Sequence, residues 1–141
     1  MGELKDIRVL VVDDQENMRR ILGALLRAFG FLEIRECEDG AKALAAVPQF
    51  RPDIIVTDFS MPHLDGVAFA REVRALKDQG LAHAPILMVS GHAHMKQVMA
   101  ARDAGVNEFL AKPINGQRLA ERITRIIQQE RVSPPPAAQA S

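Results

Sequence analysis

Side chains suited to metal and phosphoryl chemistry follow four of the apolar runs in this sequence. In chain order they are Asp13 and Asp14 after the first run, Asp58 at the end of the third, Ser90 at the end of the fourth and Lys112 after the fifth. Crowded carboxylates repel one another and hold protons unless a cation neutralises them. Oxygen ligands with room for several waters are what Mg²⁺ prefers. An aspartate beside such a metal, a lysine and a hydroxyl group has the components needed to accept a phosphoryl group as an acyl phosphate.

Each of these residues also has an ordinary structural explanation. Asp13 and Asp14 suit a helix cap followed by an acid in the first helical turn. Asp58 suits a turn, Ser90 a strand end and Lys112 a solvated surface. Taken together these explanations are weak, because unrelated strands would all have to end by chance in complementary chemistry. The combination favours one shared site.

Short apolar runs alternate with amphipathic stretches, which predicts five strands and five helices. The strands are predicted at 7–12, 32–37, 53–57, 86–90 and 107–111. The helices are predicted at about 15–29, 40–48, 66–76, 94–104 and 115–131, with Asp14 capping the first and Gly30 ending it. Strands joined by helical crossovers pair in parallel, with helices on both faces of the sheet. Ligands of such α/β folds bind beyond the carboxyl ends of the strands, where the residues above are expected.

The composition argues against several classes of protein. The 18 Lys and Arg balance the 18 Asp and Glu, so the overall charge gives no argument for binding nucleic acid or an anionic membrane. Cys37 is the single cysteine, and no apolar stretch has the form of a secretion signal or membrane span. We therefore expect a cytoplasmic protein with one domain over residues 1–131. Residues 132–141 are rich in Pro and Ala and are expected to form a flexible tail too short to be an output domain.

The motifs of this chain resemble those of the receiver domains of two-component response regulators, above all the stand-alone members that act in chemotaxis. The resemblance covers about residues 5–130. It rests on VVDD at 11–14, MRRI at 18–21, GF at 30–31, EDG at 38–40, Asp58 with MP at 61–62, DG at 65–66, LMVS at 87–90, AG at 104–105 and KP at 112–113. It implies a doubly wound, flavodoxin-like fold: a five-stranded parallel sheet of order 2-1-3-4-5 with helices on both faces.

The resemblance also implies the phosphoryl donor and the metal ligands. Asp58 would receive a phosphoryl group from the phosphohistidine of a sensor histidine kinase or of a histidine phosphotransfer protein. Mg²⁺ would be bound directly by Asp14, Asp58 and the backbone carbonyl of Ser60, and through water by Asp13. Such a protein catalyses only its own phosphorylation and dephosphorylation, so it is not expected to be an enzyme.

Further roles at matching positions concern the bound phosphoryl group. The Lys112 ammonium, the Ser90 hydroxyl and the backbone N–H groups of Phe59 and Gly91 would hold its oxygens. The Lys112–Pro113 peptide bond would be cis.

Three more positions concern switching and dephosphorylation. Phe109 stands where the family has its switch aromatic, and Ser90 would couple it to the phosphoryl group. Phe109 replaces the commoner Tyr and lacks a phenolic hydroxyl, so its inward state would depend on packing. Ser60 and His92 occupy the positions that tune dephosphorylation in the family.

The expected readout is a change in affinity for a downstream protein, with a chemotaxis target as one candidate. The target would bind the last two helices and the fifth strand, and neither nucleic acid nor a membrane is expected as a direct partner. A monomer is expected, with dimerisation on phosphorylation left open. The residues expected on the exposed faces of this surface are Lys96, Gln97, Arg102, Gln117, Arg118 and Arg125.

Four alternatives remain at this point. Two keep the chemistry and change the role, because the chain could be a phosphorelay intermediate or a phosphate sink. A third is an aspartyl phosphatase of the haloacid-dehalogenase type, but the general acid of those enzymes lies two residues beyond the nucleophile, where this chain has Ser60. The fourth, a flavin carrier, lacks support because the chain has no Trp or Tyr to stack on the flavin.

Overall fold

The computed structural model describes residues 4–91 and 94–132, with only the backbone described over 130–132. Its strands are β1 (Arg8–Val12), β2 (Glu33–Cys37), β3 (Ile54–Asp58), β4 (Ile86–Ser90) and β5 (Glu108–Ala111). Its helices are α1 (Glu16–Phe29), α2 (Gly40–Phe50), α3 (Gly66–Arg74), α4 (Gln79–Ala82), α5 (Met95–Asp103) and α6 (Gly116–Val132). A 3-10 turn (Leu4–Asp6) precedes β1.

The five strands form one parallel sheet in the order β2-β1-β3-β4-β5, so the fold implied by the resemblance is confirmed. Every residue of β3 and β4 is buried, as expected for central strands covered on both faces. Alternate residues of β1 point to opposite faces. Leu10 packs in the core under α2, α3 and α5, and Val11 in the core under α1 and α6.

The structure corrects three sequence-based expectations about the helices. Asp14 does not cap α1: Gln15 is its N-cap residue, and the backbone N–H of Gln15 donates to the Asp13 carboxylate at 2.9 Å. The helix after β2 continues past Pro48 to Phe50. A sixth helix, α4, lies in a segment without helical spacing and is capped by the Asp78 carboxylate, which accepts from the Leu81 N–H.

Two other expectations, for the predicted tail and for His92, concern residues at or beyond the edge of the described chain. Helix α6 extends to Val132, one residue into the predicted tail, and residues 133–141 lie outside the described part of the chain. His92 also lies outside it. No helix within the described residues combines the length and apolar character needed to span a membrane.

Two backbone features place the ends of β3 and β5. The Gly66 N–H donates to the Phe59 carbonyl at 2.9 Å, and a Cβ at Gly66 would lie 2.2 Å from the Asp58 carbonyl oxygen. Only a residue without a side chain lets α3 begin so close to the end of β3. The Lys112–Pro113 peptide bond is cis, as the resemblance implied, and the Lys112 N–H donates to the Ser90 carbonyl at 2.7 Å.

Replacing Gly66 should destabilise the fold at this contact. We expect Gly66→Ala to lower the free energy of unfolding by about 1–3 kcal/mol, because the added methyl group forces α3 away from the backbone of Asp58. Urea unfolding measures the loss. Gly91→Ala is the matched control, since a Cβ there meets nothing within 4 Å; equal losses in the two variants would contradict the packing argument.

Candidate functional site

The strand order brings the predicted chemistry together at one rim of the sheet. β1 and β3 are neighbours, so Asp13 and Asp58 lie side by side where these strands end. Ser90 ends the next strand, β4, and is 2% exposed. Lys112 directly follows β5, whose Ala111 pairs with Ser90. The parallel sheet therefore gathers residues that are up to a hundred positions apart in sequence.

Three carboxylates form the acidic part of the site. Asp13, Asp14 and Asp58 each offer a carboxylate oxygen within 4.8 Å of the other two. The side chains of Asp13 and Asp58 are 1% and 7% exposed, whereas Asp14 is exposed. This donor set, hard oxygens with one side open to water, fits a divalent cation such as Mg²⁺.

Burial works against the charge on two of these carboxylates. Burial, partly offset by the nearby Lys112 ammonium, raises the pKa of Asp58 above its ordinary value of 3.8. The pKa of Asp13 is raised as well, first by burial and further by the negative charges of Asp58 and Asp14. Like charges in a poorly solvated site favour protonation, so the cluster favours binding a cation.

Lys112 supplies part of the compensating charge. Its Nζ atom lies 3.2 Å from Asp58 Oδ1 and 3.7 Å from Asp13 Oδ2. Asp13 Oδ2 is nevertheless buried without a hydrogen-bond partner in the described part of the chain. A buried carboxylate oxygen without a hydrogen bond is energetically costly, and a water bound to a metal ion at the cluster would supply that bond.

Backbone groups surround the Asp58 carboxylate. The Phe59 N–H donates both to Asp58 Oδ1 and to the Val89 carbonyl, each at 2.9 Å. Ser60 and Gly91, just beyond the ends of β3 and β4, are exposed residues. A main-chain N–H therefore contacts Asp58 directly, and the chain beyond both strands reaches the surface.

Phe109 lies partly buried on β5 and packs against the core under α2, α3 and α5. It also lines a cavity of about 270 Å³ between α5, β5 and α6. On that surface the predicted exposure is wrong for Gln97, which is half-buried with its Oε1 atom shielded from water. The other five predicted residues are exposed: Lys96, Arg102, Gln117, Arg118 and Arg125.

Sequence reasoning did not single out Arg19. Its guanidinium Nη1 donates to the Asp13 backbone carbonyl at 2.7 Å, and its Nε lies 3.5 Å from Glu36 Oε1. The helical spacing of α1 gives no signal for this contact, because Arg19 and Arg20 are equally polar in sequence.

Comparison with known proteins identifies the family. The model of the response regulator receiver domain matches residues 9–124. The chain belongs to this family. Chemotaxis protein CheY of Pseudomonas aeruginosa is 41% identical over 123 residues, covering 87% of this chain and 98% of that protein. Chemotaxis protein CheY-3 of Vibrio cholerae is 37% identical over 125 residues, covering 89% of this chain and 95% of that protein.

Solved structures of receiver domains agree with this assignment. Vibrio cholerae CheY4 is 30% identical with a TM-score of 0.78, covering 85% of this chain and 98% of that one. CheY in a CheX–CheY–BeF3–Mg²⁺ complex from Borrelia burgdorferi is 23% identical with a TM-score of 0.79, covering 86% and 89%, and supports the fold alone. Receiver domains bind Mg²⁺, and those like CheY interact with histidine kinases and downstream targets.

The charge on Asp58 should destabilise this receiver domain at neutral pH. The pKa of Asp58 is raised in the folded state. Protonation of Asp58 therefore stabilises the fold fully below the unfolded pKa near 3.8, and this stabilisation is lost as pH rises through the folded pKa. Asp58→Asn should therefore raise the free energy of unfolding at pH 7 in EDTA, and the gain should shrink towards pH 3.

Urea unfolding between pH 3 and pH 8 measures this difference. Asp103→Asn, an exposed carboxylate on α5, is the control and should change little at any pH. A gain for Asp58→Asn that does not depend on pH would show that burial of its charge is not the cause.

Proposed function

We propose that this receiver domain is a phosphorylation switch. Asp58 accepts a phosphoryl group from the phosphohistidine of a sensor histidine kinase or a histidine phosphotransfer protein. The phosphorylated form then changes its affinity for a downstream protein, with chemotaxis as the pathway that the relatives favour. The observation that carries the proposal is the buried Asp58 carboxylate, 3.2 Å from the Lys112 ammonium within a cluster of three carboxylates.

The metal site in this proposal uses residues at the carboxyl ends of β1 and β3. Asp14, Asp58 and the backbone carbonyl of Ser60 would hold Mg²⁺ directly, and Asp13 through water. When bound, Mg²⁺ supplies positive charge beside the phosphoryl oxygens and the three carboxylates. Two observations support this assignment: the raised pKa values of Asp13 and Asp58, and an Asp13 Oδ2 atom that has no hydrogen-bond partner among the described residues.

The chain's own residues carry the transfer. A carboxylate oxygen of Asp58 attacks phosphorus in line as the P–N bond to the donor histidine breaks, and the electron pair of that bond leaves with the imidazole. The Lys112 ammonium and the Ser90 hydroxyl hold the phosphoryl oxygens, together with the Phe59 and Gly91 N–H groups. These donors lower the barrier because negative charge spreads over the oxygens in the transition state.

Switching follows from the new oxygens on Asp58. The Ser90 hydroxyl moves towards them as a hydrogen-bond donor, which vacates space beneath the loop after β4. Phe109 rotates inward, and the surface of α5, β5 and α6 changes shape. The exposed residues Lys96, Arg102, Gln117, Arg118 and Arg125 make this the expected target surface. Ser60 and His92 tune the lifetime of the phosphoryl group.

We extend the proposal to the class of protein, its role in the relay, its location in the cell and the bounds of its domain. Receiver domains are not known as conventional enzymes, and membership of this family removes the support for a phosphatase or a flavin carrier. A phosphorelay intermediate or phosphate sink would use the same site without a target on α5, β5 and α6. We further propose a cytoplasmic monomer with its domain over residues 1–131.

Phosphorylation of Asp58 can be tested directly. Incubation with acetyl phosphate and Mg²⁺ should give a phosphorylated band on a phosphate-affinity gel for the wild type. Asp58→Asn should lose at least about 90% of this labelling, because the amide lacks the nucleophilic oxygen anion. Asp103→Asn should be labelled like the wild type. Undiminished labelling of Asp58→Asn would overturn the assignment.

The role of Ser90 can be tested without a known target. Beryllofluoride mimics the phosphoryl group, and its addition with Mg²⁺ should shift the NMR signals of β5 and α6 in the wild type. Ser90→Ala should still bind beryllofluoride but lose most of the shifts in β5 and α6, because the hydroxyl that links the two sites is absent. Ser90→Thr keeps the hydroxyl and should behave like the wild type. Wild-type shifts in Ser90→Ala would show that the hydroxyl is not the link.

A further inference from the structure

Arg19 is turned inward towards the acidic cluster. It lies in the first turns of α1, yet its side chain is only 15% exposed. Its neighbour Arg20 points away from the core, with a side chain that is 74% exposed and pairs with Glu16 of the same helix. The two arginines carry the same charge at almost the same place in sequence, so burial and contacts alone separate them.

The contacts of Arg19 reach the turn that carries the first two carboxylates. Its Nη1 donates to the backbone carbonyl of Asp13 at 2.7 Å, and its Nε lies 3.5 Å from Glu36 Oε1 on β2. The guanidinium thus joins α1 to β2 across the end of β1. It donates to the backbone carbonyl of Asp13 and not to the carboxylate, so this bond fixes the position of the turn after β1.

Two further hydrogen bonds of Asp13 complete this arrangement. Its backbone N–H donates to the Cys37 carbonyl at 3.1 Å, and its Oδ1 accepts from the Gln15 N–H at 2.9 Å. Those bonds hold the N–H and the side chain, while the Arg19 bond holds the carbonyl that leads into Asp14. Asp14 itself is exposed and follows directly in the chain, so its placement depends on that peptide.

We propose that Arg19, oriented by Glu36, is a positioning residue that sets the Mg²⁺ affinity of the acidic cluster by holding the turn from Asp13 to Asp14. The inference rests on the proposed function, because it assumes that the cluster binds Mg²⁺. Groups that orient metal ligands without touching the metal typically change affinity 10- to 100-fold when they are removed.

We expect that a lysine cannot perform the positioning role of Arg19. The planar guanidinium holds two groups in a fixed geometry, with Nη1 donating to the Asp13 carbonyl and Nε 3.5 Å from Glu36 Oε1, whereas an ammonium group is a single point on a flexible stem. Arg19→Lys therefore keeps the charge and loses the geometry. It separates a positioning role from simple neutralisation of nearby carboxylates.

The test is a Mg²⁺ titration of the full chain, followed by amide NMR shifts near the acidic cluster. We expect Arg19→Ala and Arg19→Lys to raise the Kd about 10-fold, and Glu36→Gln to raise it by a smaller factor. Arg20→Ala removes the same charge from the neighbouring position and should stay within about 2-fold of the wild type. Thermal unfolding in EDTA reports stability separately from affinity.

Each result of the Mg²⁺ titration supports or overturns the inference about Arg19. Absence of Mg²⁺ binding in the wild type would overturn the proposed function and this inference together. Wild-type affinity in the Arg19 variants, even with a lowered Tm, would overturn the inference alone. Wild-type affinity in Arg19→Lys, or equal weakening in Arg20→Ala, would show that charge matters and not position, and would also overturn it. If Arg19→Ala does not fold, Arg19→Lys decides the question, and wild-type affinity in that variant overturns the inference.

Discussion

Buried carboxylates are crowded together at the carboxyl ends of β1 and β3, and the neighbouring elements hold them there. Asp13 and Asp58 are almost fully buried beside each other, and Lys112 compensates only part of their charge. Such an arrangement destabilises a resting protein, because burial penalises the ionised form. It is useful in a protein that binds a cation and then a phosphoryl group at the same place, since both ligands meet charges already in position.

The sheet rigidly supports this unfavourable arrangement. β3 and β4 are buried along their whole length, and Gly66 lets α3 begin directly against the backbone of Asp58. On the opposite side of the molecule from the acidic rim, Arg74 donates to the carbonyls of Ala82, Ala84 and Gly105 and to the Asn107 side chain. These bonds tie α3 to the segments that lead into β4 and β5.

The sequence was sufficient to predict the strands and the members of the acidic cluster, because a parallel sheet collects the residues that follow its strands at one rim. It was not sufficient where a contact depends on which way one side chain turns. Gln15 takes the N-cap position predicted for Asp14, since the Asp13 carboxylate accepts its N–H. Arg19 and Arg74 also look like surface residues in sequence, yet both donate to backbone carbonyls outside their own helices, those of Asp13 and Gly105. The short helix α4 is fixed by its Asp78 cap and lacks a helical pattern.

We infer that phosphoryl chemistry occurs at Asp58 and is transmitted through Ser90 to Phe109. A crystal structure of the protein with beryllofluoride and Mg²⁺ would show both steps at once. We expect beryllium bonded to a carboxylate oxygen of Asp58, fluorides contacting the Lys112 ammonium and the Ser90 hydroxyl, and Phe109 turned further into the core than it is here. Beryllofluoride bound elsewhere, or bound at Asp58 with Ser90 and Phe109 unmoved, would contradict it.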